Sequence, residues 1–230
     1  MPYTAVRDTA QAHFGEALGL LNFISESEPN TPLEPTPTHI KTMRGLFYVH
    51  LYSCLEKTLT EASRHTIRLV SSRTVKYNHF ITPFATVSLY PKLQSFKTCS
   101  HSNFHSNSIS IFSKLSSTEI ATLNDGIFDN NLQNVWTNTI LEVMACFGIT
   151  DFQITPRERT TIDEIVEKRN AVAHGREKAS TIGEAQNSII LRQKHDLIKE
   201  LAERIIDKLE NYYTDYDFIK NSVRRHYRTT

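Results

Sequence analysis

The sequence predicts a mainly α-helical protein, and three observations support this prediction. Over most of the 230 residues, apolar side chains recur every three or four positions, which is the spacing of a helix that buries one face. Prolines and small polar residues are concentrated between these periodic segments, where they end helices. Only the segment 73–130 lacks the period, and we interpret it as an insertion into one helical domain that spans 1–230.

The first half contains two predicted helices, at 3–25 and from 39 to about 70. The connection between them, 25–38, holds four prolines and cannot continue a helix. In the second helix, Glu56 lies at the margin of the apolar stripe. We consider two interpretations of it: a solvated acid, or a carboxylate that turns inward to pair with a buried arginine, because a buried charge requires a partner.

The predicted insertion is rich in Ser, Thr, Asn, Phe and His, and its alternating pieces at 84–90 and 108–112 favour short strands. It also contains Cys99, His101 and His105, whose spacing a metal site could use. However, no second ligand pair accompanies them, and polar loops often collect histidines. We therefore expect neither a metal nor another cofactor.

Three more helices are predicted in the second half. The first has an apolar stripe that runs from Leu132 through Val135 and Trp136 to Phe147, and it ends at Gly148. The second begins at Pro156 after the capping-type residue Thr155. The third covers about 182–214, with a stripe that starts at Ile189 and Ile190 and continues to Leu209.

Composition limits the class of protein. Hydrophobic residues make up 39% of the chain and charged residues 22%, which excludes wholesale disorder. The sequence has no membrane-spanning apolar run, no secretion signal and only three scattered cysteines, so we expect a cytoplasmic protein.

The net charge of +1 gives no indication of nucleic-acid binding. The basic tail, 216–230, is expected to be solvated, with an RNA contact through Arg224 and Arg225 as the alternative.

The stretch 162–175 carries the candidate site. It is an amphipathic helix whose end holds Arg169, Asn170 and His174, and Gly175 follows as a left-handed cap. At about 100° per residue, Arg169 is about 140° round the helix from His174. The arginine must therefore curl toward the histidine, or the last turn must distort, or a second copy of the helix must supply the complementary group. A C-cap histidine that bonds free carbonyls is the structural alternative for His174.

The residues Arg169-Asn170-x-x-x-His174 resemble the R-x4-H motif of the HEPN superfamily of helical nucleic-acid-acting domains. Two further segments resemble the MAE-like branch: the element Leu-Tyr-x-x-x-Glu at Leu51, Tyr52 and Glu56, and the helix end Phe-Gly-Ile at 147–149. The resemblance implies an antiparallel helical bundle, frequent homodimerisation and metal-independent endoribonuclease activity in toxin–antitoxin or phage-defence systems.

The resemblance also implies the roles of the site residues. Arg169 and His174 would be catalytic, because arginine matches phosphate oxygens and histidine exchanges protons near neutral pH. Asn170 and Glu56 would support them. Cations expected to contact the RNA substrate are Lys168, Arg176, Arg224 and Arg225. An antitoxin or an ATPase sensor is the expected partner. Arg176 lies two residues after His174, where HEPN toxins that are silenced by an antitoxin carry a tyrosine. The alternative function is a non-catalytic HEPN module that binds nucleotides or protein.

Overall fold

The computed structural model describes residues 2–29, 31 and 34–228, and the mainly α fold is confirmed. Within these ranges, β-type backbone pairing is limited to the isolated bridges Lys76–Ile120 and Phe80–Ile219. Ten α-helices occur in the described residues: α1 Thr4–Glu26, α2 Thr38–Ser71, α3 Thr82–Ser88, α4 Tyr90–Lys97, α5 Phe104–Leu115, α6 Thr137–Phe147, α7 Pro156–Ala173, α8 Ala179–Glu184, α9 Ser188–Thr214 and α10 Asn221–Arg228. None of these helices is long and apolar enough to cross a membrane.

The chain divides into two compact units. The first consists of Met1–Glu61, Asn131–Ile140 and Gln153–Ile206, and it contains the whole R-x4-H motif. The second consists of Ala62–Asn130, Leu141–Phe152 and Asp207–Thr230. Residues 73–130 lie in this second unit together with segments from elsewhere in the chain. The interpretation of 73–130 as an insertion stays a prediction.

Helices of the first unit run antiparallel in three pairs. Along α1 and α2, His13 meets Cys54 through a 3.4 Å contact between the carbonyl oxygen and Sγ, whereas Glu28 pairs with Arg44. Glu28 lies just beyond the end of α1, so the later residue of this part of the chain meets the earlier residue of α2. The same reversal relates α1 to α9 and α7 to α9, as these contacts show: Phe14 with His195, Asn22 with Arg192, Glu164 with Lys194, and Glu158 with Arg204.

The second unit is organised around aromatic side chains. Phe84 lies 4.9 Å from Phe80 and 6.0 Å from Phe147 between ring centroids, and Tyr212 lies 5.6 Å from Phe147. All four of these rings are buried. Aromatic residues bury large areas of apolar surface and contact one another at these separations, which explains how a segment without helical periodicity still folds.

The expected strands at 84–90 and 108–112 are wrong. Helix α3, a turn at Leu89 and the start of α4 occupy the first segment, and α5 covers the second. Pro83 and Pro91 occupy the first turns of α3 and α4. Proline at these positions loses no hydrogen bond and presets the helical backbone. In α5, the residues that look alternating in sequence place Ile109 and Phe112 three positions apart on one exposed helix face.

Helix boundaries agree with the sequence in the first half and around the motif. Both predicted helices at 3–25 and 39–70 are confirmed; their connection includes residues 30, 32 and 33, which lie outside the described ranges. Thr155 forms a capping box with Glu158 at the start of α7. Gly175 follows the helix with a φ of +64°, the left-handed conformation expected of a glycine at this position.

Two predicted helix starts are wrong. Helix α6 begins at Thr137 rather than near Asn131, because Asp163 accepts hydrogen bonds from the backbone and hydroxyl of Thr137. Helix α9 begins at Ser188 rather than Ile182, because the side chain of Asn187 caps it by accepting from the N–H of Ile190. Residues Ile189 and Ile190, expected in the buried stripe, are therefore exposed on the first turn of α9.

Helices α2 and α8 approach each other so closely that only glycine fits at two positions. A Cβ atom at Gly183 would lie 1.9 Å from the carbonyl oxygen of Lys41, and a Cβ atom at Gly45 would lie 2.0 Å from that of Ala179. These contacts involve backbone atoms, which cannot move aside as a flexible side chain would. Because neither glycine has a side chain, the short helix α8 can pack directly against the backbone of α2.

We predict that Gly183→Ala lowers the free energy of unfolding by about 1–3 kcal/mol, the usual cost of overpacking. Gly15→Ala is the matched control, because nothing lies within 4 Å of a Cβ at this position in α1. It should raise the stability by about 1 kcal/mol, since alanine is the better helix former. Urea denaturation followed by circular dichroism measures both. An unchanged midpoint for Gly183→Ala would contradict the close approach.

Candidate functional site

Arg169 lies in the last turns of α7, and its side chain packs on helix α2. The guanidinium carbon sits 3.8 Å from the centroid of the Tyr52 ring, which is close stacking for a cation–π contact. One turn further along α2, a carboxylate oxygen of Glu56 lies 3.6 Å from Nη2 of Arg169. The pairing considered for Glu56 is thus present in the structure, while the Glu56 side chain itself stays 37% exposed.

A segment from the first unit, residues 131–136, holds the other side of the guanidinium. Nη2 of Arg169 donates to the carbonyl oxygen of Gln133 at 2.9 Å, and Nη1 lies 3.5 Å from Oδ1 of Asn134. Nη1 also donates to Oδ1 of the neighbouring Asn170 at 2.7 Å. Asn170 therefore contacts the arginine, whereas we expected it to orient either the histidine or the phosphate.

Tyr52 joins these two groups of contacts. Its hydroxyl donates to the carbonyl oxygen of Gln133 at 3.0 Å and accepts from the N–H of Val135 at 3.1 Å. Burial raises the pKa of Tyr52, and the charge of Glu56 raises it further, while the Val135 bond and the Arg169 cation act in the opposite direction. The tyrosine stays neutral and serves as a platform beneath the guanidinium.

The side chain of His174, unlike that of Arg169, is not held by polar contacts with the described residues. His174 is the C-cap residue of α7, and its backbone N–H donates to the carbonyl oxygen of Asn170 at 3.1 Å. The side chain is exposed, and no hydrogen bond or ion pair joins its imidazole to any described residue. The alternative in which the imidazole bonds the free carbonyls of the helix end is therefore not what the structure contains.

One chain does not bring the two motif residues together. The guanidinium of Arg169 turns toward α2 and the 131–136 segment, and α7 keeps regular helical structure through Ala173. Of the three geometric solutions to the angular offset, neither the curling arginine nor the distorted turn is present. The third solution, a second copy of the helix, concerns an assembly rather than this chain.

Comparison with known protein families assigns the chain. Residues 16–211 match the family model described as RiboL-PSP-HEPN. The chain belongs to this HEPN family. Membership of the HEPN superfamily, expected from the motif, is confirmed, while the narrower resemblance to the MAE-like branch stays a prediction. No curated protein and no solved structure matches.

In this HEPN chain, Lys168 belongs to a separate ion-pair cluster. Its ammonium donates to Glu164 at 2.6 Å and lies 4.7 Å from the centroid of the Tyr48 ring, and Lys194 binds the same carboxylate. Burial alone would raise the pKa of Glu164, but the hydrogen bonds from Lys168 and Lys194 outweigh it and lower the pKa. Lys168 thus has internal partners, whereas Arg176 is exposed and no described residue binds its side chain.

The expected tail contacts lie in the second unit, on or beside α10. Arg224 pairs with Asp217 at 2.8 Å and donates to the carbonyl oxygen of Ile219. Arg225 follows it on the same helix. The hydroxyl of Tyr227 lies 2.8 Å from Nδ1 of His79. The tail is helical from Asn221 to Arg228, and none of these residues is buried; residues 229 and 230 lie outside the described ranges.

The segment considered for a metal is helical. His101 lies in a single 3-10 turn and His105 in the first turn of α5, and Cys99 precedes both. Among the described residues, no three His, Cys, Asp or Glu side chains are grouped so that they could hold a metal ion. All three cysteines are free, and burial raises the pKa of the Cys54 thiol to about 12.

Sequence reasoning identified the motif but missed most of what surrounds it. The Leu-Tyr-x-x-x-Glu element contained the signal for Tyr52, because a tyrosine one turn before Glu56 lies on the same helix face. Gln133 and Asn134 carried no comparable signal, since they lie 36 and 35 residues from Arg169 in sequence. Their role follows only from the way in which the 131–136 segment folds over α7.

We predict that Arg169→Ala lowers the free energy of unfolding by about 1–3 kcal/mol, the combined range for a partly desolvated cation–π contact and charged hydrogen bonds. Arg169→Lys should fall between this variant and the wild type, because lysine keeps the charge but not the planar fork. Arg176→Ala is the control, with a change within about 0.5 kcal/mol. Urea denaturation measures all three. Equal stability of Arg169→Ala and the wild type would show that these contacts carry no net stabilisation.

Proposed function

We propose that this chain is a metal-independent endoribonuclease that acts as a homodimer. The observation that carries the proposal is the contrast at the end of α7. The Arg169 cation is fixed by stacking, ion pairing and hydrogen bonds, while the His174 imidazole is exposed and unbonded among the described residues. A fixed cation can stabilise the negative charge of the phosphorane, and an available imidazole can transfer protons; RNA transesterification uses both. Family membership adds support, because HEPN domains are often ribonucleases.

The proposed reaction transfers protons and forms one bond while it breaks another. A base removes the proton of the ribose 2′-hydroxyl, and this oxygen attacks the adjacent phosphorus. The bond from phosphorus to the 5′-oxygen breaks, and the leaving oxygen takes a proton. The products are a 2′,3′-cyclic phosphate and a 5′-hydroxyl. His174 would transfer the protons and Arg169 would stabilise the negative charge on the phosphorane.

A second copy would complete the site. In one chain, Arg169 is turned away from His174 and toward Tyr52 and Glu56. A two-fold dimer places the same surface of both copies around one cleft, so the histidine of one protomer would face the arginine of its partner. In this arrangement Asn170 and Glu56 support the reaction by holding the guanidinium, rather than by contacting RNA.

The remaining predicted contacts concern substrate and control. We propose that Arg176 beside the motif, with Lys168, Arg224 and Arg225 as further cations, attracts the RNA backbone. Because unregulated RNA cleavage would harm the cell, we also propose a toxin or phage-defence role with an antitoxin or ATPase sensor as partner. Arg176 occupies the position of the tyrosine that is modified in some silenced HEPN toxins, so silencing by that modification is not expected.

A specific observation favours the alternative, a non-catalytic module that binds nucleotides or protein. The side chain of Arg169 is only 16% exposed and is already paired with Glu56. An arginine in this state stabilises the fold whether or not it contacts RNA. The two functions differ in one consequence: only the nuclease requires His174, which has no structural partner among the described residues.

We predict that the purified protein cleaves single-stranded RNA in the presence of EDTA and leaves 2′,3′-cyclic phosphate ends. His174→Ala and Arg169→Ala should each lose at least about a hundredfold in rate, the lower range for a positioned proton-transfer group. His101→Ala, which removes an exposed histidine outside the motif, is the matched control and should keep full activity. Gel analysis of end-labelled RNA measures the rates.

Intact RNA with the wild-type protein, or equal cleavage by the wild type and His174→Ala, would refute the nuclease. Because Arg169→Ala is expected to be less stable, its folding must be checked by circular dichroism at the assay temperature. His174→Ala removes an exposed side chain that has no hydrogen bond or ion pair with a described residue, and its loss of activity is therefore the decisive result.

We further predict that mixing Arg169→Ala with His174→Ala restores activity after subunit exchange. If each site takes its arginine and its histidine from different protomers, the mixed dimer contains one intact site. Half of the dimers are then mixed and each has one of two sites, so about a quarter of wild-type activity should return. Rate measurements across mixing ratios test this. Activity that stays at the level of the two separate variants would place both residues of a site in one protomer.

A further inference from the structure

Trp136 is the one tryptophan of the chain, and its position differs from the sequence expectation. It was expected in the buried stripe of a helix that starts near residue 132. Instead it lies just before α6 and is 38% exposed, while its neighbour Val135 is fully buried. No described residue makes a ring contact or a side-chain hydrogen bond with the indole. Part of this large, flat, apolar side chain is thus accessible to solvent.

The backbone on both sides of this tryptophan is fastened to the motif region. Gln133 and Asn134 contact the Arg169 guanidinium, and the Val135 N–H donates to Tyr52. The backbone N–H of Trp136 itself donates to the carbonyl oxygen of Asn134 at 3.1 Å. Its Cα is two positions from that of Asn134 and therefore lies within about 7 Å of it. The backbone that carries the indole is therefore anchored by the same segment that contacts the arginine.

We propose that Trp136 is a base-binding platform on which one base of single-stranded RNA stacks, next to the phosphate held by Arg169. This inference rests on the proposed function and names the subsite that it requires. A nucleotide presents a flat base and a phosphate at a short separation. The structure places a partly exposed indole two residues along the chain from Asn134, which contacts the guanidinium of Arg169. Stacking of unpaired bases on aromatic side chains is a general mode of RNA recognition.

The choice of ligand follows from the chemistry of the two groups. An apolar partner would use the indole but not the adjacent cation, and a simple anion would use the cation but not the indole. Stacking accepts any base and favours those with the larger ring surface. The platform therefore predicts cleavage with a purine preference at one nucleotide beside the scissile bond, without strict sequence specificity.

The test uses the intrinsic fluorescence of the single tryptophan in full-length His174→Ala, which blocks cleavage. Titration with single-stranded RNA should quench the indole with the same dissociation constant that fluorescence anisotropy of labelled RNA reports. Adding Trp136→Ala should weaken RNA binding at least about fivefold, which corresponds to 1 kcal/mol of stacking. Trp136→Phe should recover most of the loss. Phe112→Ala, which removes an exposed aromatic on α5, is the matched control and should bind as before.

An RNA series with one abasic position separates stacking from a structural role. Abasic substitution at the stacked nucleotide should weaken binding when Trp136 is present and change nothing when it is alanine. RNA binding without quenching, or an equal abasic effect in both proteins, overturns the platform and leaves the nuclease proposal intact. If His174→Ala does not bind RNA and the wild type does not cleave it, both proposals fail together.

Discussion

Placing the Arg169 cation in a mostly buried position is the constraint on which the rest of the site depends. A desolvated guanidinium needs an opposing charge, acceptors for its N–H groups and a surface to lie on. The chain supplies all three from different places: Glu56 and Tyr52 from α2, and Gln133 from the 131–136 segment. Tyr52 also binds that segment through its hydroxyl. Holding the arginine therefore fixes the segment, and with it the exposed Trp136.

The same contacts determine how Arg169 is oriented relative to His174 in this HEPN domain. The interactions that hold Arg169 in place also orient its side chain away from His174. Within one chain, the contacts that stabilise the arginine therefore keep the two motif residues apart. A preformed cation has an advantage for catalysis, because it needs little reorganisation when charge develops in the transition state. In the proposed reaction, the proton-transfer group would then come from a second copy of the chain. Homodimerisation would bring the two residues together, which gives oligomeric state a direct chemical role in the proposed reaction.

Prediction from sequence succeeded where short-range periodicity decides the structure. The long helices α1 and α2, the capping box of Thr155 and the left-handed Gly175 follow from residues within a few positions of one another. It failed at the strands expected in 73–130, where helices α3, α4 and α5 form instead, the first two of them with proline in the first turn. Prediction from sequence also placed Trp136 in the core. The spacing of apolar residues around position 136 does not show whether the helix begins before or after this residue.

The amino-acid sequence alone determined that the protein is helical, that it carries the R-x4-H motif and that the motif lies at a helix end. These features depend on local spacing and on the geometry of a single helix. Only the tertiary structure decided which way Arg169 turns, which residues hold it and that Trp136 stays accessible. Those outcomes depend on contacts between residues far apart in the chain, such as Arg169 with Gln133 and with Tyr52. No local pattern encodes such contacts, because they arise only when separate helices pack together.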